Sequence, residues 1–211
     1  MSAIGIIGFG ALGRKILALL TAGRRPERLA VFDDTAHQQQ AEGFHPFEAF
    51  LDPRFADHDF YVGLGYHHLP CKVAILGQLQ AAGRRVPAFV HSSCHVAPGS
   101  RIGPGCIIHP GCNLDADTVL GPGVLLHNSV VVSHDSHLAA AAYLSPGVVL
   151  SGHVHIGEAA FLGTGTLVAD HRRIGARTRV GIGTVVTRDV PDDTSVIGNA
   201  QREVTHPLKL E

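Results

Sequence analysis

An α/β Rossmann-like nucleotide-binding unit followed by a long parallel β-helix is the fold class that the sequence predicts, and two observations predict it. The first is a branched apolar residue at every sixth position, unbroken through Val90, Val96, Ile102, Ile108, Leu114, Leu120, Leu126, Val132, Leu138, Leu144, Leu150, Ile156, Leu162, Val168, Ile174, Val180 and Val186. A period of six fits neither a helix nor an alternating strand. It marks hexapeptide coils, in which each hexad is one short strand plus a corner and three hexads complete one turn of a solenoid. The second observation is Gly8-Phe9-Gly10-Ala11-Leu12-Gly13, set between a short apolar strand over residues 3–8 and a helix from Ala11 to Leu20. In that context the glycines let backbone N–H groups and a helix N-terminus receive phosphate.

The elements of the N-terminal unit, residues 1–88, follow in order. Leu29 to Phe32 reads as a second strand, ending in Asp33-Asp34 where such folds hydrogen-bond a ribose or base. Residues 35–58, with Gln38-Gln39-Gln40, Pro46 and Pro53, carry little pattern. Phe60 to Leu64 reads as a third strand, Leu69 to Ala82 as a helix, and Val86 to Val90 as a short strand leading into the first coil. A unit of this size is half of a dinucleotide-binding fold and suits a single nucleotide, so Gly8, Gly10 and Gly13 are expected at phosphates and Asp33 and Asp34 near ribose or base. The alternative is a glycine turn that serves close packing alone, with both aspartates as solvated strand ends.

Residues 89–211 form the repeat domain and its tail. Four residues after each anchor the side chain is usually small, as in Cys94, Ser100, Cys106, Cys112, Thr118, Ala142, Ala160, Thr166, Thr178 and Thr184, with Val124, Val130, Val148 and Val154 larger. This column fills the narrow interior beside the anchors. Gly, Pro, Asn, Asp and Ser follow the anchors, as in Gly103-Pro104-Gly105 and Gly121-Pro122-Gly123, and place corners there. A β-sandwich with evenly spaced strands would need longer alternating runs and irregular loops. The coils end near Pro191, and residues 192–211, which lack the repeat, are expected to cover the open last coil.

Composition narrows the function classes. The chain has 211 residues, 45% of them apolar, and a formal net charge of −1 with 15 histidines. That balance gives no field for nucleic acid or anionic membrane, and neither partner is expected. The start lacks the basic and apolar regions of a signal peptide and no apolar run approaches a membrane span, so a cytoplasmic protein is expected. Three of the four cysteines fall in the small interior column and are expected to remain thiols.

Residues 18 apart stack, which sorts the histidines into outward columns: His91, His109 and His127; Asp135, His153 and His171; His137, His155 and Arg173. A zinc site of the type found in γ-class carbonic anhydrases, with histidines spaced 36 and then 5 apart, is matched by His91 and His127 but then meets Val132. Asp117, His153 and Glu158 offer one histidine. No metal is expected.

The stretch Val132-Ser133-His134-Asp135, preceded by His127-Asn128-Ser129, together with the N-terminal glycine turn and its Asp-Asp strand end, resembles a known family. These are bacterial sugar acyltransferases of the sialic acid O-acetyltransferase and nucleotide-amino-sugar N-acetyltransferase type. The resemblance covers nearly the whole chain and implies a left-handed β-helix, a homotrimer, acetyl-CoA as cosubstrate and a nucleotide-sugar acceptor. It implies that His134 is the general base, that Asp135 orients and supports its imidazole, and that the backbone N–H of Gly152, 18 residues on, stabilises the oxyanion. His127, Asn128 and Tyr143 then fall among the substrate contacts. This chain departs from the family pattern at Leu12, where a histidine is often found, at His127, where an asparagine is usual, and at Tyr143, where a second histidine is usual. It departs again at Gly198-Asn199-Ala200, which lacks a proline.

An anionic cofactor is also suggested by five arginines, Arg172, Arg173, Arg177, Arg179 and Arg188, after a stretch from Val90 to Asp170 holding only Arg101. Guanidinium forks suit phosphates, although a solvated basic rim would look the same. The expected activity is acetyl transfer to the amino group of a nucleotide-linked sugar for surface-glycan synthesis. O-acetylation of a sialic-acid-like sugar and a non-catalytic trimeric scaffold or nucleotide-binding module are the alternatives.

Overall fold

The computed structural model describes residues 3–22, 26–38 and 42–198. Most of the chain is a parallel β-solenoid. Its rungs are two-residue strands that pair with strands 18 residues away, as in Val132 with Leu150 and Leu126 with Leu144. Three sheets form its faces. One holds seven strands from Phe89–Val90 to Ser195–Val196, one six from His95–Val96 to Val185–Val186, and one five from Arg101–Ile102 to Arg173–Ile174.

The six-residue rhythm sets the packing. From Leu114 to Val180 every anchor is buried, and with the small column they form one continuous core. Burying a Val, Leu or Ile side chain is worth about 1.5–3 kcal/mol, so the stacked anchors supply the domain's main stabilisation. Polar members of the small column bond the carbonyl one residue past an anchor of the next coil: Cys94 Sγ to His109 O at 3.0 Å, Cys112 Sγ to His127 O at 3.0 Å, Ser136 Oγ to Ser151 O at 3.2 Å. All four cysteines are free thiols.

The corners repeat with equal regularity. Three residues after the anchor, every position from Gly99 to Gly183 has a positive φ, glycine at some and Asp117, Ser129, Asp135, Ala141, His153, Ala159, His171 and Arg177 at others. L-residues enter this region at a cost, least for Asn, Asp and His, and the coil's many backbone bonds hold them there. Arg172 takes a place in the small column without breaking the ladder, since its carbonyl still accepts from His155 N at 2.9 Å. Its guanidinium turns out to Asp170 O and toward Asp189.

The residues before the solenoid do not build the expected Rossmann-like unit. They form a four-stranded parallel sheet in the order β3-β2-β1-β4, with β1 Ala3–Ile7, β2 Leu29–Phe32, β3 Phe44–His45 and β4 His58–Val62. Among the described residues the chain has three α-helices, α1 (Ala11–Thr21), α2 (Asp34–His37) and α3 (Leu69–Ala81), and α2 is a single turn. The connections on either side of β3 run through α2 and through 3₁₀ turns at residues 47–51 and 53–55, in place of the crossover helices that a doubly wound fold requires. Pro46 and Pro53 explain this, because each blocks helix propagation across the segment. The fold is therefore a parallel β-solenoid with a small parallel sheet appended. The strand expected from Phe60 to Leu64 is the fourth, β4, and it begins and ends two residues earlier, while of residues 86–90 only Phe89–Val90 is a strand, belonging to the solenoid.

The appended sheet docks through α1 and α3. Ile16, Leu69, Ile107, Leu125, Tyr143 and Ala159 share one buried cluster. A β-carbon on Gly123 would lie 2.3 Å from Leu76 Cδ1, so glycine there lets α3 lie against the coil. Ser195–Val196 adds a last strand beside Arg179–Val180. The remainder of the tail, and with it Asn199 and Ala200, lies outside the described residues.

Candidate active site

The corner after the strand Val131–Val132 carries the dyad. Asp135 stands in the left-handed region, φ 58°, which brings its carboxylate back toward the preceding residue. His134 Nδ1 lies 2.8 Å from Asp135 Oδ2. This bond to His134 is the main reason the Asp135 carboxyl is held below the ordinary carboxylate range. With Nδ1 engaged, Nε2 is the ring nitrogen left for a substrate.

Gly152 lies against that nitrogen. The pairing of Val132 with Leu150 sets residue 152 one coil on from His134. A β-carbon there would sit 2.8 Å from His134 Nε2 and 2.7 Å from Cε1. Gly152 is buried, and no hydrogen bond of its backbone N–H occurs among the described residues. A base nitrogen and an unengaged backbone donor thus share one edge of the solenoid.

His153 and His171 extend the same corner column. His153 Nε2 is 3.8 Å from Asp135 Oδ2, its ring meets that of His134 edge to face at 5.1 Å, and it stacks on His171 at 4.5 Å. Donor and acceptor atoms of His134, Asp135 and His153 gather within 4.8 Å of one another. On the neighbouring face His137 and His155 stack at 5.1 Å, in register with Arg173.

His127, Asn128 and Tyr143 come together at the preceding corner, away from the dyad. His127 Nε2 is 2.7 Å from Tyr143 Oη, and Asn128 Oδ1 accepts from Lys15 Nζ of α1 at 3.2 Å. Burial, followed by the charges of His109 and Lys15, pushes His127 down to about 3. Burial pushes the Tyr143 hydroxyl up to about 12. His109, grouped by spacing with the outward histidines, is fully buried, with the ring of His127 at 4.6 Å and the charge of Lys15 of α1 felt at its imidazole. Neither of its ring nitrogens has a hydrogen-bond partner among the described residues. The signal for this docking face was present in the apolar residues Ile107, Leu125, Tyr143 and Phe161, each one place before an anchor on a single column.

At the N-terminal turn, Gly8 has φ 82°, and a β-carbon on Gly13 would lie 2.1 Å from Gly8 O, so both glycines serve the turn and its close packing. Gly10 opens a cleft of about 410 Å³ lined by Phe9, Arg14, Asp33, Thr35, Ala36 and Phe44. Both Asp33 oxygens already accept, from Phe9 N at 2.7 Å and Ala36 N at 2.9 Å, and Asp34 Oδ1 accepts from Phe47 N at 2.8 Å. The acidic pair thus braces the cleft wall. Arg14, which the motif did not single out, reaches Phe9 O at 3.1 Å from the cleft's rim.

Two of the five arginines of the cluster are paired. Arg177 holds Asp193 through two bonds of 2.6 and 2.7 Å, and Arg172 approaches Asp189. Arg173 lines a groove of about 540 Å³ together with His137, His155 and Asp192. No helix among the described residues is long and apolar enough to cross a membrane.

No protein-family model matches the sequence, and no curated protein matches it. Solved structures do. PerB from Caulobacter crescentus, in complex with CoA and GDP-perosamine, is 31% identical over 94% of this chain and 95% of its own, with a TM-score of 0.81. The acetyltransferase domain of PglB from Neisseria gonorrhoeae is 26% identical over 97% of this chain and all of its own, with a TM-score of 0.80, and a further structure of that domain holds acetyl-CoA. WeeI from Acinetobacter baumannii, at 22% identity and a TM-score of 0.82, shares the fold. With a six-residue solenoid, a His-Asp corner facing a glycine one coil on, and 31% identity across nearly its whole length, this chain belongs to the bacterial sugar acetyltransferases of the hexapeptide-repeat, left-handed β-helix family.

Proposed function

We propose that the protein transfers the acetyl group of acetyl-CoA to the amino group of a nucleotide-linked amino sugar, for the synthesis of a bacterial surface glycan, as a homotrimer. The observation that carries this reading is the edge shared by His134 Nε2 and the Gly152 peptide. The sugar amine attacks the thioester carbonyl and gives up its proton to Nε2, while Asp135 on Nδ1 fixes the tautomer and supports the imidazolium. Negative charge gathers on the carbonyl oxygen, and the Gly152 N–H is its donor. Collapse of the tetrahedral adduct breaks the carbon–sulfur bond. The imidazolium then returns the proton to the departing thiolate, leaving an amide and free coenzyme A.

The acceptor's nucleotide enters the cleft at Gly10, with Gly8 and Gly13 shaping the turn, Arg14 at the rim and Asp33 and Asp34 holding the wall. His127, Asn128 and Tyr143 provide contacts to the substrates from the adjacent corner. An amine acceptor is favoured because PerB, the 31% identical relative, is described as an N-acetyltransferase that holds GDP-perosamine.

The test is incubation with acetyl-CoA and a panel of nucleotide amino sugars, beside sialic-acid-type hydroxyl acceptors, with release of free thiol as the readout. Turnover confined to hydroxyl acceptors would replace the amine reading, and no turnover with any sugar would remove both. Gly10→Val tests the division of labour: the acceptor KM should rise strongly while acetyl-CoA binding is unchanged.

A further inference from the structure

The dyad corner gathers more ligand atoms than acetyl transfer uses. His134 Nδ1 lies 2.8 Å from Asp135 Oδ2, and His153, one coil on, turns its Nε2 to that same oxygen at 3.8 Å. The second distance is too long for a hydrogen bond. It suits two ligands of one ion, because donor atoms about 2.1 Å from a tetrahedral zinc stand about 3.4 Å from each other, a separation that the two distances bracket. One atom from each of the three residues lies within 4.8 Å of the others, and no other three histidine, cysteine or carboxylate side chains among the described residues come so close. The histidine spacings of the carbonic anhydrase type do not describe this group, which joins two neighbours in sequence to a residue one coil on.

The coil holds the three in place. Asp135 and His153 occupy successive corners, at φ 58° and 57°, and the His153 N–H donates to His134 O at 3.0 Å. His171 stacks on the His153 ring at 4.5 Å and 12°, which steadies the plane in which Nε2 points to Asp135. All three side chains are about half exposed, so an ion reaches them from solvent and water completes its fourth position. Two imidazoles and one carboxylate are a donor set that zinc accepts.

We propose that His134, Asp135 and His153 form a zinc(II) site, and that zinc and acetyl transfer exclude one another there. The exclusion rests on the base role given above for His134. In the dyad the ring proton sits on Nδ1, facing Asp135, and Nε2 offers the lone pair that takes the amine proton. Zinc takes the lone pair of Nδ1, and the neutral ring then carries its proton on Nε2. The ring gains and loses no proton; the proton changes nitrogen, and the base is gone. Asp135, engaged with the metal, no longer supports an imidazolium.

The experiment takes the full chain, treated with EDTA and desalted, as wild type, His153→Asn and His134→Ala, and titrates each with zinc chloride against a chromophoric zinc chelator. Wild type should withhold one equivalent of zinc from the chelator, and each variant should hold it more weakly by roughly tenfold or more. Asparagine tolerates the left-handed corner, so the coil is kept, and melting temperature checks that it is. Failure of wild type to compete, or equal competition by His153→Asn, overturns the site. Acetyl transfer is followed in parallel. Saturating zinc should stop wild-type turnover, EDTA should restore it, and His153→Asn should need roughly tenfold or more zinc for the same loss. Undiminished turnover at saturating zinc overturns the exclusion. If metal-free wild type turns over no sugar, the acetyl-transfer reading falls, and the chelator titration still decides the site.

Discussion

The imidazole of His134 fills the space that a β-carbon on residue 152 would need, with Cε1 and Nε2 at 2.7 and 2.8 Å from that position. Gly152 is thus required by the dyad and not by its own backbone. His134 is half exposed and can swing outward, so Gly152→Ala should leave the melting temperature within about 2 °C while displacing the ring. A misplaced base and donor should lower kcat by roughly 10²-fold. Wild-type turnover in the alanine variant would separate Gly152 from the reaction.

Removing the base acts on the transition state more than on binding. His134→Ala should lower kcat by roughly 10² to 10⁴ with little change in either KM, and Asp135→Asn should cost less, because the ring remains. Both positions are exposed corners, so their melting temperatures should match that of wild type. Steady-state kinetics with a nucleotide amino sugar checks the order of the two effects.

Lys72 is the residue of α3 that pays for docking on the solenoid. It is 1% exposed, its Nζ has no hydrogen-bond partner among the described residues, and burial pushes it down to about 8. The folded protein therefore binds this proton less readily than the unfolded chain does. Stability should rise as pH passes from about 8 toward 10.5, and below about 8 the full penalty applies. Lys72→Met should raise stability at neutral pH by on the order of 1–3 kcal/mol and remove that rise in urea titrations at pH 7.5 and 9.5.

How much of this was legible follows from what a six-residue period encodes. It fixes which residues stack, so Val132 over Leu150, and hence His134 beside Gly152, could be placed from spacing alone. It says nothing of what covers the outside of a coil, and His109 was accordingly grouped with outward residues although it is fully buried. It also cannot reach beyond the repeat. Arg177 read as an available cation until the fold brought Asp193 to it, and Asp33 read as a ribose partner until Phe9 N and Ala36 N were found on its oxygens. In the segment around Pro46 and Pro53 no period of any kind exists, and there the expected Rossmann-like architecture failed.

His109, fully buried, and His127, half-buried beside it, make this part of the solenoid surface sensitive to acid. Burial pushes His109 down to about 4 and His127 to about 3, against an ordinary imidazole value of 6.5. The unfolded chain thus binds protons on these residues at a pH where the folded chain does not. Their contribution to stability is fully present above about 6.5 and is lost as pH falls toward 4 and then 3. Each proton gives a slope of about 1.4 kcal/mol per pH unit, so two such histidines make stability fall steeply below pH 6. In His109→Leu one of the two is gone, and no buried ring nitrogen is left without a partner at that position. The variant should be at least as stable as wild type at pH 7.5, and its unfolding free energy should decline less steeply between pH 6.5 and 5. Urea unfolding followed across that range decides it, and parallel declines in the two proteins would place the acid sensitivity elsewhere than at His109.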